Sequence, residues 1–343
     1  MTAVHAVLPA GVDDPRRPSG GNVYDRRICA GLSELGWDVV EHHVDGTWPE
    51  PDTNDLELLD KVISTVPDDA VVLVDGLVAS AAPSVLVAAA GRIRMAVLVH
   101  MPLEAPGERA VLSAARAIVT TSGWARTRLR ALYGLAPEVL CVAEPGIDPA
   151  APAVGTRDGG ELLCVSPVSP HKGSDVLIAA LDAVRELPWR CRVVGSLDRD
   201  AAFADDIRRR VDAHGLTGRV TFCGAVTATE LAAAYATSDL LVHPSRGETY
   251  GMVITEALAR ALPVVATNVG GVPEALGQTS AGVPGLLVEA DAPDDLAAAI
   301  RAWLTDSALR DRLRRAAAER RHTLPSWQST TGVIARVLDR VAA

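Results

Sequence analysis

The chain has almost no aromatic side chains and almost no lysine. Phe, Tyr and Trp together make up 3% of its 343 residues, and only two of its 33 basic residues are lysine, Lys61 and Lys172. A core this poor in aromatics must be built from Val, Leu, Ala and Ile, a composition that suits buried parallel strands covered by alanine-rich helices. The five cysteines (Cys29, Cys141, Cys164, Cys191, Cys223) are scattered without a C-x-x-C pair. That pattern argues against a disulfide framework or a thiolate metal site, and the cysteines read as small buried hydrophobes in a reducing cytosol. No apolar run approaches the ~20 residues of a membrane span. The opening residues Met1-Thr-Ala-Val-His-Ala-Val-Leu-Pro9 lack a charged n-region and a long apolar core, so they read as a first strand and not as a signal peptide. Positive charge is also scarce: the formal net charge is −10, against the basic footprint that a nucleic-acid partner demands. A cytoplasmic, globular protein is expected, with 48% apolar residues and enough chain for two domains.

Strand-like runs alternate with helical ones throughout, the rhythm of a doubly wound α/β fold. In the first half, strands are predicted at Val4–Pro9, Asp38–His42, Ala70–Asp75, Met95–His100, Ala117–Thr121 and Val139–Glu144, with helices such as Val23–Leu35 and Trp124–Tyr133 between them. The pattern breaks at Asp148-Pro-Ala-Ala-Pro152 and resumes past Gly159-Gly160, which marks a linker. The second half predicts strands at Leu162–Val165, Arg192–Gly195, Val220–Cys223, Leu240–His243, Val264–Thr267 and Gly285–Val288. Helices are predicted at Ser174–Leu187 and Thr229–Ala236, and a last amphipathic helix follows Pro325. Residues 1–150 and 151–324 thus read as two Rossmann-like domains, with 325–343 as a terminal helix.

The segment richest in chemistry is Ser245-Arg-Gly-Glu-Thr-Tyr-Gly-Met-Val-Ile-Thr-Glu256. Leu240-Leu-Val-His243 reads as a buried parallel strand, and the turn after it lies at the carboxyl end, where open α/β sheets bind ligands. A helix starts near Gly251. Its first N–H groups, from Gly251, Met252 and Val253, lack intrahelical partners and carry the positive end of the dipole, a ready site for a phosphate. Glu248 stands before this anion site and Glu256 more than a turn inside the helix. Eight residues of helix span ~12 Å, more than the ~5–9.5 Å between the carboxylates of a glycoside hydrolase. The pair fits two separate hydroxyl contacts better.

Three further segments follow the same logic. Ser169-Pro-His-Lys-Gly173 comes directly after the strand Leu162–Val165, and Lys172 offers a compact ammonium suited to a phosphate oxygen in a tight loop. Ser19-Gly20-Gly21-Asn22 joins the first strand to the first helix, and its paired glycines permit close backbone approach. It does not match the G-x-G-x-x-G dinucleotide fingerprint, which lowers the case for a dehydrogenase. His100 ends the strand Met95–His100, whereas His42, His43 and His243 read as strand histidines satisfied locally. The arginines between Arg92 and Arg130 read as a solvated face, so membrane association is disfavoured.

These segments, in this order, resemble the retaining, metal-independent GT-B glycosyltransferases of family 4. The match is strong from Leu240 to Leu276 and looser in the first domain. The resemblance implies two Rossmann-like domains with parallel sheets facing across a cleft, and a terminal helix that returns to the first domain. It implies that Glu248 faces the donor sugar, Glu256 binds the ribose hydroxyls of the nucleotide, and Lys172 holds the diphosphate. Gly20, Gly21 and Asn22 would line the cleft near the phosphates and acceptor, and His100 would stand beside the sugar. An arginine that family members carry a few residues before the lysine is replaced here by Pro167, with His171, Arg199 and Arg246 as candidate substitutes. Glu144-Pro-Gly-Ile-Asp148 and Asn268-Val-Gly-Gly-Val-Pro-Glu274 resemble structural turns of the family.

The expected activity is transfer of a sugar from a nucleoside diphosphate sugar to a small-molecule or glycan acceptor, with no cofactor and no catalytic metal. No Asp-x-Asp motif stands in a convincing context. A nucleotide-sugar epimerase of the same architecture and a non-catalytic nucleotide-sugar-binding protein are the alternatives. The base, the sugar, the acceptor and the oligomeric state are not legible. Arginine and alanine richness points to a GC-rich bacterial source.

Overall fold

The computed structural model describes residues 2–14 and 19–343; Met1, at the head of the expected first strand, lies outside them. The chain divides into two compact units, one of Met1–Gly146 with Pro325–Ala343 and one of Ile147–Leu324.

The first unit holds six strands, β1 (Ala3–Pro9), β2 (Asp38–Val44), β3 (Val71–Asp75), β4 (Arg94–Val99), β5 (Ala117–Thr120) and β6 (Leu140–Val142), in the order β2-β1-β3-β4-β5-β6. Every pairing is parallel. Side chains alternate between the two faces, as the pleat requires. Val72, Val74, Val97 and Val99 join one core cluster, while Val71, Leu73, Ala96 and Leu98 join another on the opposite face. That second face is covered by the helix Gly20–Glu34, through Tyr24, Ile28 and Leu32, and by the terminal helix Trp327–Ala342, through Ile334, Val337, Leu338 and Val341. The terminal helix therefore packs within this unit.

The second unit repeats the plan with β7 (Glu161–Val165), β8 (Arg190–Val194), β9 (Val220–Gly224), β10 (Leu240–His243), β11 (Val264–Thr267) and β12 (Gly285–Val288), in the order β12-β11-β10-β7-β8-β9. All its pairings are parallel too. Leu240 and Val242 face one cluster and Leu241 the other. Valine, leucine and alanine do supply this core, with Trp303 as a fully buried exception whose Nε1 donates to the Gly159 carbonyl at 2.7 Å. Each fully buried Val or Leu contributes about 1.5–3 kcal/mol. All five cysteines are free, and Cys29, Cys164 and Cys191 are buried as expected. Cys223 is exposed, because it shares with Thr221 the face of β9 that no element among the described residues covers.

Most predicted strand bounds fall within a residue or two of the observed ones. The His100 strand stops at Val99, and the predicted helix 174–187 ends at Ala183. The arginine-rich stretch of the first unit is partly structural. Arg92 donates to the Ile63 and Val66 carbonyls at the end of the helix Thr53–Thr65, and Arg128 pairs with Glu104 at 3.0 Å. Among the described residues, no helix is long and apolar enough to cross a membrane.

Candidate functional site

In the second unit, strand order decides what meets. β7 and β10 are neighbours, so the loops at their carboxyl ends lie side by side. The loop after β7 is a single tight turn, Pro170–Lys172, closed by Gly173 at φ 68°. A Cβ on Gly173 would collide with the Pro244 carbonyl, so only glycine lets the two loops touch. The Arg246 amide donates to the His171 carbonyl at 2.9 Å and ties the loops together.

This contact brings Lys172 and Glu248 together. The Lys172 ammonium lies 2.5 Å from Glu248 Oε1. His243 Nε2 lies 2.9 Å from the same oxygen. Glu248 Oε2 accepts no hydrogen bond among the described residues. Burial pushes the Glu248 carboxyl up, but the hydrogen bond and charge of His243, then those of Lys172, outweigh it and hold the group well below the usual carboxylate range. Glu248 is therefore an ionised acceptor, unsuited to protonating a leaving group. Its backbone is clamped as well. The Gly271 amide donates to the Glu248 carbonyl at 3.0 Å, and a Cβ on Gly270, at φ 53°, would strike that carbonyl. The Asn268–Glu274 turn thus serves the site by packing.

The helix Met252–Ala259 starts from Gly251 at φ 96°, and its first amides, Met252 and Val253, lack intrahelical partners. Glu256 sits one turn further along. Tyr235, from the helix Ala228–Ala236, donates its hydroxyl to Glu256 Oε2 at 2.8 Å, and the Arg260 guanidinium stacks over the Tyr235 ring at 4.8 Å. Burial raises the Glu256 pKa against the opposing pull of Tyr235 and Arg260. Glu248 and Glu256 thus have separate partner sets, as two independent contacts would.

Arg246, one candidate substitute for the missing arginine at Pro167, is already committed. It grips Asp175 with two bonds of 2.9 and 2.8 Å and Asp291 with one of 2.6 Å. His171 lends its carbonyl to the Arg246 amide, and its ring packs against Gly247.

The first unit carries a second constellation. Ser19 caps the helix Gly20–Glu34, its Oγ accepting from the Asn22 amide at 3.0 Å. A Cβ on Gly21 would stand 3.2 Å from the His100 ring, so the glycine lets the helix start lie against the imidazole. His100 Nε2 meets Asp25 Oδ1 at 2.8 Å and Asp75 Oδ2 at 3.3 Å. Asp75 also caps the next helix through the Leu77 amide at 2.7 Å. Burial lowers the His100 pKa, but Asp25 first and then Asp75 more than reverse this and raise it to about 10. Burial, partly opposed by His100, raises Asp25 to about 6. His100 is thus an imidazolium in the neutral range. The three donor atoms lie within 4.8 Å of one another, a span a cation could bridge, although the imidazole nitrogen itself already occupies both carboxylates.

Sequence reasoning passed over His243, Asp25, Asp75 and Tyr235. His243 was read as a strand histidine satisfied locally, yet it contacts Glu248. The family resemblance singles out His100; the general rule that open parallel sheets bind ligands at strand carboxyl ends points equally to Asp75 and His243.

Residues 155–320 match the family described as Glycosyl transferases group 1. A D-inositol 3-phosphate glycosyltransferase of Kineococcus radiotolerans is 34% identical over 258 residues, 68% of this chain and 59% of that protein. One from Jonesia denitrificans is 30% identical over 256 residues, again 68% and 59%. The chain thus spans about six-tenths of the length of these relatives. Among solved structures, the sucrose-phosphate synthase of Thermosynechococcus elongatus superposes with a TM-score of 0.80 at 21% identity, covering 99% of each chain. Anabaena HepE in complex with UDP and glucose gives 0.77 at 20% identity, over 99% of this chain and 100% of that one. The two six-stranded parallel sheets are those of the GT-B fold, and residues 155–320 carry the sequence pattern of the glycosyl transferases group 1 family.

Proposed function

We propose that this chain is a retaining, metal-independent glycosyltransferase of the family 4 type. It moves a sugar from a nucleoside diphosphate sugar to a small-molecule or glycan acceptor, in the cytoplasm and without a cofactor. One observation carries the reading: Lys172 and an ionised Glu248 with one open oxygen stand together on neighbouring loops, and a helix start whose first amides lack intrahelical partners follows Glu248 in the chain. An ammonium and helix amides suit a diphosphate, and an ionised carboxylate suits a sugar hydroxyl.

In this proposal the donor binds the second unit. As the bond between the anomeric carbon and the diphosphate oxygen breaks, negative charge grows on the leaving group, and Lys172 with the Met252 and Val253 amides stabilises it. Glu248 Oε2 accepts from a donor-sugar hydroxyl, and Glu256 accepts from the ribose. The acceptor hydroxyl forms the new bond on the face that the leaving group vacates, and its proton passes to the departing phosphate. In the first unit, His100 is held as a cation beside Gly20, Gly21 and Asn22, where it offers a hydrogen-bond donor to a bound hydroxyl.

The relatives named for D-inositol 3-phosphate make a phosphorylated cyclitol the first acceptor to try. The test is release of nucleoside diphosphate from a panel of UDP-, GDP- and ADP-sugars, with and without acceptor. Anomeric configuration is read by NMR, and EDTA is added in parallel. Acceptor-dependent release with retention, unaffected by EDTA, is expected. Interconversion of sugars without acceptor, or no release from any donor, would overturn the reading.

A further inference from the structure

His243 is 2% exposed, and its Nδ1 is buried without a hydrogen-bond partner among the described residues. A buried imidazole with one nitrogen unsatisfied is costly, and a packing position here could be filled by an apolar side chain. Among the described residues, the one polar contact this ring makes is to Glu248 Oε1, so that contact is what accounts for a histidine at the end of β10.

Glu248 Oε1 has two donors of different character. Lys172 reaches it on a flexible stem from the loop after β7, with its side chain 24% exposed. His243 reaches it from a strand whose backbone is paired in register, His243 opposite Ala266. A phosphate dianion competes with the carboxylate for the ammonium. When Lys172 turns to it, Glu248 loses one anchor and faces added negative charge. A carboxylate without a second anchor would either swing away or keep the lysine for itself.

We infer that His243 is a positioning residue that anchors Glu248 from the rigid end of β10, so that Lys172 can be released to the donor diphosphate. This rests on the reading of Glu248 and Lys172 as donor-site residues. The imidazole donates through Nε2 and holds the carboxylate while the lysine changes partner, leaving Oε2 directed at the sugar.

The test uses the full-length chain and three substitutions, His243→Gln, His243→Asn and His243→Phe. The amide nitrogen of glutamine reaches the place of imidazole Nε2, whereas that of asparagine stops near the place of Nδ1. Calorimetry measures binding of uridine, guanosine and adenosine diphosphate, and comparison uses the one that the unaltered chain binds best. His243→Asn and His243→Phe are expected to bind it about tenfold more weakly, because Lys172 stays with an unanchored Glu248. His243→Gln is expected to restore binding to within about threefold. In a His243→Phe/Glu248→Gln double variant the competing charge is gone, so affinity recovers towards that of Glu248→Gln alone. A merely structural role would not produce that recovery. Equal affinity in the unaltered chain and a folded His243→Asn or His243→Phe variant overturns the inference, as does a double variant no tighter than His243→Phe. Absence of diphosphate binding by the unaltered chain defeats the donor-site reading itself and the inference with it. The glutamine variant keeps the test decisive if phenylalanine prevents folding.

Discussion

His100 Nε2 lies 2.8 Å from Asp25 Oδ1; the carboxyl is buried and the imidazole is 14% exposed. The pair joins the end of one strand to the helix that begins with the Gly20-Gly21 turn, and it makes the imidazole a fixed cation. Its pH behaviour follows. A histidine whose pKa is raised from 6.5 to about 10 adds stability that is fully present below pH 6.5 and is lost as pH rises through about 10. Urea unfolding between pH 7 and 10.5 is expected to show stability falling, and His100→Gln to remove that slope. The groups facing the ring are Asp25 and Asp75, with the edge of Tyr24 against it.

Asp25→Ala leaves a largely enclosed imidazolium with only the longer Asp75 contact. The cost is expected to be about 3 kcal/mol, because breaking one side of a buried pair strands the other charge. Equilibrium denaturation checks this. Asp25→Asn should also bring the His100 pKa down, read as a downward displacement of its titration in NMR.

Under the proposed function, Lys172→Ala removes the cation that meets charge developing on the leaving diphosphate. A fall in kcat of roughly 10²–10³ is expected, with the larger effect on kcat than on KM for the donor. Glu248→Gln keeps the shape and removes the charge from a hydroxyl contact, with an expected loss of roughly 10–100-fold in kcat/KM. Steady-state release of nucleoside diphosphate measures both, and turnover unchanged in either variant would sink the site assignment.

Gly270→Ala places a methyl group against the Glu248 carbonyl and strains a left-handed backbone. A loss of about 1–3 kcal/mol is expected, with reduced donor affinity because the Glu248 turn must shift. Thermal unfolding and calorimetric titration separate the two effects. Ala261, also at positive φ (55°), lies outside this contact and serves as a control position for Gly substitution.

Pro167→Arg restores the cation that family members carry before the lysine. Tighter nucleoside diphosphate binding, by up to about tenfold, is expected if the diphosphate passes this loop. Arg246→Ala, in contrast, is expected to act through stability. Its guanidinium is spent on Asp175 and Asp291 and is not free to serve as the substitute.

The sheets and the helix Met252–Ala259 were legible because their signals are local. A run such as Leu240–His243 or Val264–Thr267 declares itself by length and β-branched content, and Gly251 before Met252–Ala259 declares the helix start. His243 was misread for a physical reason. A histidine at a strand end looks the same whether its ring is packed or paired, and the difference lies in a turn that folds Glu248 back onto it. Cys223 was misread because nothing in its neighbourhood says which face of β9 would stay uncovered.

By itself the sequence determined the two α/β units, the carboxyl-end turns that carry Lys172 and Glu248, and the glycines that those turns need. These follow from backbone preference and hydrophobic period, which act over a few residues. Only the tertiary structure decided the partners. Lys172 and Glu248 are 76 residues apart and meet because β7 lies beside β10. Asp25, Asp75 and His100 meet because β1, β3 and β4 are neighbours, with the helix Gly20–Glu34 laid across them. Charge pairing over such separations depends on strand order, and strand order is settled by which faces can be buried together.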